Sequence, residues 1–148
     1  MNKIFNTTFE SSLRILLLLS VSGDEQMTLD RIADYDFITI YSKYFGISNM
    51  ALDGENEFGL SEFAARRGMM QSTMKSLVLD GLVSVKRRQN GFQYSISAVG
   101  KTVAGKMESE YANNYKMLAR KTVEHFKGQS EQKIMKTISN VSTEFLRR

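Results

Sequence analysis

Few residues in this 148-residue chain have the types or spacing for covalent or metal chemistry. There is no cysteine, which excludes disulfides and thiolate metal sites. His125 is the only histidine, so multi-histidine zinc and iron sites are excluded too. A nucleophilic triad would have to use His125, which has no recognisable catalytic company and is expected at the surface. The acid pairs Asp34/Asp36 and Glu55/Glu57 read as local charge, with no partner set that defines acid–base work. No phosphate-cradling glycine loop, dinucleotide fingerprint or nucleophile elbow is present. The expectation is a protein that is not an enzyme and needs no cofactor or metal.

What remains is charge and surface. Residues 1–60 carry 4 basic and 9 acidic side chains, a balance of −5, whereas residues 61–148 carry 16 and 7, a balance of +9. A basic pole of this kind attracts polyanions, either nucleic acid or an acidic protein. Lys75, Lys86, Arg88 and the adjacent Gln89-Asn90 are the candidate nucleic-acid contacts. Lys86 and Arg88 also have a plainer reading, as charges that protect an edge strand. Arg66 and Arg67 suit phosphate or a partner's acids equally well. Leu79, Tyr111 and Tyr115 are the candidate partner contacts, with helix packing as the other reading of the two tyrosines.

These residues must be positioned by helices and one hairpin. Thr7-Thr8-Phe9-Glu10 spells a capping box that opens a helix running to about Ser22. The run LRILLLLSV, residues 13–21, is too short to span a bilayer, and a run apolar on all sides belongs in a domain centre or a subunit interface. Glu10 before the run and Arg14 within it argue against a signal peptide. A second helix starts near Thr28 and ends around Phe45-Gly46, and residues 47–59 read as a loop. Asn90-Gly91 between alternating runs marks a hairpin. A two-residue turn there pairs Gln89 with Phe92, Arg87 with Tyr94 and Val85 with Ile96. Val83, Val85, Phe92, Tyr94 and Ile96 then form a dry face, with Arg87 joining it near the tip, and Lys86 and Arg88 point the other way. Ser97 caps a long helix from about Ala98 to Lys127, Gly128 ends it, and Ser130 starts a last one.

The stretch EFAARRGMMQSTMKSLVLDGLV, residues 62–83, supports two readings. In one, residues 61–67 are a positioning helix, Gly68 makes the turn and residues 71–80 enter a DNA major groove. Met69 is then buried. In the other, which the periodicity favours, residues 61–80 are one helix with Phe63, Met70, Met74, Leu77 and Val78 inward. Arg67 falls inside that stripe and must snorkel, Leu79 is exposed, and Met70 is buried instead of Met69. Either way the element order, with Gly81 ending the long helix before the hairpin, predicts a mainly α chain with a β-hairpin. The fold expected is a winged helix-turn-helix with additional C-terminal helices: a single domain over 1–148, with a core over 1–97 and a helical extension over 98–148.

The strings NKIFNTTFESSLRILLLLS, DRIADYDFITIY, FAARRGMMQSTMKSLVLDGLV with NGFQYSI, and STEFLRR carry a resemblance over nearly the whole chain. It resembles the middle component of bacterial ABC-three-component systems, in the second middle-component family, and the Lamassu-type defence systems are similar. The resemblance implies a small cytoplasmic, non-enzymatic adaptor that bridges an ABC ATPase of the structural-maintenance-of-chromosomes (SMC) type and an effector subunit in anti-phage or anti-plasmid defence. It leaves room for DNA contact within the complex and for a homodimer, and implies no membrane. Such middle components tend to carry a charged helix former where this chain has Gly68. The alternative function is a homodimeric winged-helix transcription regulator, with residues 71–75 in the major groove.

Overall fold

A computed structural model of the chain describes residues 8–50, 52 and 60–146. Thr7, Glu55 and Glu57, three positions singled out above, lie outside the described residues. The described elements are α1 (Thr8–Val21), α2 (Leu29–Ile40), α3 (Leu60–Leu79), β1 (Val83–Arg88), β2 (Gly91–Ile96), α4 (Ala98–Gly105), α5 (Glu110–His125) and α6 (Glu131–Leu146). The chain is thus mainly helical, with one two-stranded antiparallel hairpin.

The leucine-rich helix α1 lies at the centre because it has no polar face to offer water. Ile15, Leu16, Leu17, Leu18 and Leu19 are all buried, and α1 packs against α2, α3, α4, α5 and β2. Each such side chain contributes roughly 1.5–3 kcal/mol of transfer free energy. Arg14, immediately before that run, is buried with them. Its Nε donates to Asp36 Oδ1 at 3.0 Å, and the Tyr115 hydroxyl donates to the same oxygen at 2.6 Å. Burial alone pushes the Arg14 guanidinium down, but the adjoining Asp36 carboxylate, with Tyr115, more than offsets this and holds it above its ordinary value. Burial, followed by the Asp36 charge, raises the Tyr115 hydroxyl well above the usual phenol range. Asp34 and Asp36 are therefore interior groups, contrary to their reading as local charge.

Thr28 caps α2: its hydroxyl oxygen accepts the Arg31 backbone N–H at 3.2 Å and its O–H donates to Glu131 Oε2 at 2.5 Å. The helix ends at Ile40, several residues before the expected Phe45-Gly46. Beyond it the chain continues in three-residue turns, Tyr44 N–H to Tyr41 O and Phe45 N–H to Ser42 O, until Gly46 reverses it at φ +71°.

Residues 60–79 form one uninterrupted helix. Met70 is 1% exposed and Met69 only half-buried, as a continuous helix requires. The helix-turn-helix division at Gly68 is thereby overturned, and no residue near 68 has positive φ to make the turn. Gly68 sits on an exposed face with open space around it. The inward stripe differs at two places: Arg66, 6% exposed, points in while Arg67 is exposed, and Thr73 is buried as well. Arg66 packs its guanidinium carbon 5.8 Å from the Tyr41 ring centre, so a cation faces an aromatic quadrupole.

α3 stops in a Schellman motif. Gly81 at φ +77° lets Leu82 N–H reach Leu77 O and Gly81 N–H reach Val78 O, both at 3.0 Å. The hairpin register is Val83↔Ile96, Val85↔Tyr94, Arg87↔Phe92 and Arg88↔Gly91, two residues from the expected pairing. An Asn-Gly two-residue turn needs positive φ at both positions, and only Gly91, at +107°, has it. Gln89-Asn90 therefore form the tip. A two-residue shift keeps every side chain on its expected strand face.

The expected long helix over 98–127 is two helices. α4 ends at Gly105, and Ser109 caps α5 by accepting the Ala112 N–H at 3.1 Å. At the root of the hairpin, Ser97 Oγ donates to Gly81 O at 2.7 Å and accepts Gly100 N–H at 3.0 Å. α5 lies against α1 and α2, and α6 against α2, so Ile134 and Ile138 join the same buried cluster as Phe63 and Ile15.

Candidate functional site

On the described surface, three exposed large apolar side chains gather around one groove. Leu79 ends α3 on its outer side and is 77% exposed. Across from it, Val85 and Phe92 on the hairpin are 38% and 55% exposed. With Gln71, Lys75, Val78 and Tyr94 they line a groove of about 340 Å³. The expected dry face of the hairpin is thus divided: Val83 and Ile96 enter the core, Tyr94 is half-buried, and Val85 and Phe92 are left uncovered. Phase explains the division. Val83 and Ile96 lie at the hairpin root beside α3, whereas Val85 and Phe92 lie farther out along the same face.

Lys75 lines this groove, and Arg87, opposite Phe92 in register, lies on the groove's strand face. Neither has an ion pair among the described residues. Lys86 and Arg88 are exposed on the opposite strand face. Arg88 is engaged there, donating to Gln26 Oε1 at 2.9 and 3.3 Å. Gln89 is exposed at the tip, and Asn90 Oδ1 accepts the Gln93 amide at 3.1 Å. The structure therefore separates Lys75 from Lys86 and Arg88, and groups it with Arg87.

Two other cations are accounted for internally. Arg66 is packed on Tyr41, and Arg67 is ion-paired with Asp30 of α2. Tyr115 is fully buried and bonded to Asp36, so it serves packing and offers a partner nothing. Tyr111 stacks on Tyr115 with ring centres 6.4 Å apart and lines a hollow of about 410 Å³ with Leu13, Leu17 and Met107. His125 is exposed at the end of α5, edge-on to Phe126. Among the described residues no helix is long and apolar enough to cross a membrane.

The groove's apolar hairpin residues and Arg87 escaped the sequence reading of the site, which looked for basic residues on the hairpin's other face. A usable signal was present: a hairpin of six-residue strands has more apolar face than one helix can cover.

No curated protein and no solved structure matches the chain. A family model does match, over residues 4–148: ABC-three component system Middle Component 2. Since the match spans almost the entire chain, the protein belongs to the Middle Component 2 family of ABC-three component systems.

Proposed function

We propose that the chain is a non-enzymatic, cytoplasmic adaptor that bridges an SMC-type ABC ATPase and an effector in a defence complex of the Lamassu kind. The observation that carries this reading is the family match over residues 4–148. A middle component of a three-component system has protein partners, and the uncovered groove at Leu79, Val85 and Phe92 is suited to one. We read the fold as a winged helix in which α3 occupies the place of a recognition helix. The order α1, α2, α3, hairpin supports this, as does the antiparallel bridge from Met27 to Tyr94, which adds a short third strand position to the hairpin. Affinity purification of the tagged chain from its host tests the adaptor role. Recovery of a large coiled-coil ATPase is the expected result, and its absence overturns the reading.

A second reading, a homodimeric DNA-binding regulator, is supported by the exposure of Gln71, Ser72 and Lys75 on α3 and of Lys86 on the hairpin. Tight, sequence-selective DNA binding by the purified chain alone would favour it over the adaptor. Weak binding that collapses as salt rises reports only the electrostatic attraction. Lys86→Glu with Arg88→Glu is expected to weaken DNA association without unfolding the protein, and unchanged binding removes the hairpin from that reading.

A further inference from the structure

We infer that the groove between the C-terminal end of α3 and the hairpin is the docking site of an acidic, amphipathic helix from a partner protein. Apolar side chains of that helix cover Leu79, Val85 and Phe92, and its carboxylates pair with Lys75 and Arg87. This deepens the adaptor reading, on which it rests for the presence of a protein partner.

Two features of the groove select this occupant. The first is charge. Lys75 lines the groove and Arg87 stands on its strand face, neither with an ion pair among the described residues, and no carboxylate lines it. The second is apolar exposure. Val78, Leu79, Val85, Phe92 and Tyr94 make up most of the lining. A nucleic-acid backbone gains nothing from them, whereas an apolar helix face removes them from water. A helix suits the place better than an added strand. The groove wall is built of side chains from α3 and the hairpin face, so an occupant must satisfy its own backbone hydrogen bonds.

Of the other cations of the region, Lys86 is exposed on the opposite strand face and three serve other contacts. Arg66 is inside against Tyr41, Arg67 is paired with Asp30, and Arg88 is bonded to Gln26. Lys75 in the groove's lining and Arg87 beside Phe92 on the same strand face are thus the cations on this side of the hairpin.

The test places a benzophenone amino acid at position 79 or 92 of the full chain, in the host cell, with position 132 on α6 as control. After irradiation the attached peptide is sequenced. The expected result is one partner segment joined at both 79 and 92, with net negative charge and apolar residues three and four apart. A synthetic peptide of that segment binds the purified chain, and Lys75→Glu with Arg87→Glu weakens it at least tenfold. Attachment to nucleic acid, to a second copy of the chain or to a neutral or basic segment overturns the inference. So does attachment no stronger than at position 132, or a peptide affinity indifferent to the charge reversal. If the ATPase co-purifies while the groove positions stay unattached, the groove fails and the adaptor role stands. If the groove captures an acidic segment while no ATPase co-purifies, the adaptor role fails and the groove stands.

Discussion

The Tyr115 hydroxyl and the Asp36 carboxylate meet at 2.6 Å inside the core, on the oxygen that also accepts Arg14 Nε at 3.0 Å. Three elements, α1, α2 and α5, are thereby joined at one atom. Removing Asp36 takes from the buried guanidinium the carboxylate that it meets at 3.0 Å. Asp36→Leu is expected to cost about 3–5 kcal/mol in urea unfolding, and Arg14→Met added to it to recover most of the loss. Tyr115→Phe removes one bond to a charged acceptor and costs about 1.5–3 kcal/mol. A double variant as unstable as Asp36→Leu alone would contradict this.

Two glycines predict opposite outcomes for the same substitution. Gly68 is helical, exposed and surrounded by open space, so Gly68→Ala should stabilise the protein by about 1 kcal/mol. A Cβ on Gly100 would overlap the Leu82 carbonyl oxygen and lie 2.7 Å from Ile96 Cγ1. Gly100→Ala should therefore destabilise, by about 1–3 kcal/mol or more. Thermal melts of the two variants side by side check both signs.

Asp34 confers a pH dependence. Its carboxyl is buried with Oδ2 lacking a hydrogen-bond partner among the described residues. Burial, then the Glu131 charge, raises it to about 7, against a smaller lowering by Arg31. The folded state thus keeps a proton that the unfolded chain releases near its ordinary value of 3.8. Stability from this group is full below about pH 4 and falls as pH rises towards 7. Asp34→Asn should flatten that decline and leave the variant more stable than the parent at pH 8. Unfolding midpoints at pH 5 and 8 measure it; equal slopes in both proteins would exclude Asp34 as the source.

The groove should be dispensable to folding. Leu79→Ser and Phe92→Ser are expected to change stability by less than about 0.5 kcal/mol, because neither side chain is covered. Leu77→Ala, two residues away and 3% exposed, should cost about 2–5 kcal/mol. The contrast is read by chemical denaturation of the three variants.

The helical pattern was legible wherever one face alone is apolar. The Met69/Met70 choice followed from phase, and Gly81, Ser97 and Gly128 marked turns and caps that the structure contains. Where prediction and structure part, a local rule met a tertiary contact. Asn90-Gly91 favoured a two-residue turn in isolation, but pairing of Val83 with Ile96 in the core sets the register two residues away. The helix break before Ser109 was written in Gly105 and a serine cap, yet the apolar spacing from Val99 to Leu118 masked it. Asp36 could have been inferred from Arg14, because a cation inside an all-apolar helix needs an anion nearby. Site residues were harder to find, since exposure of Val85 and Phe92 depends on how far α3 reaches along the hairpin.

The root of the hairpin is held from both sides. Leu82 O accepts the Ser97 N–H, Ser97 Oγ reaches Gly81 O, and Met27 and Tyr94 exchange both backbone hydrogen bonds. Gly100 lets α4 press directly on Leu82. The outer length is tied as well, because Arg88 of β1 donates to Gln26 in the segment before α2. The hairpin is thereby fastened to the central helix through α4, which packs on both Leu82 and α1.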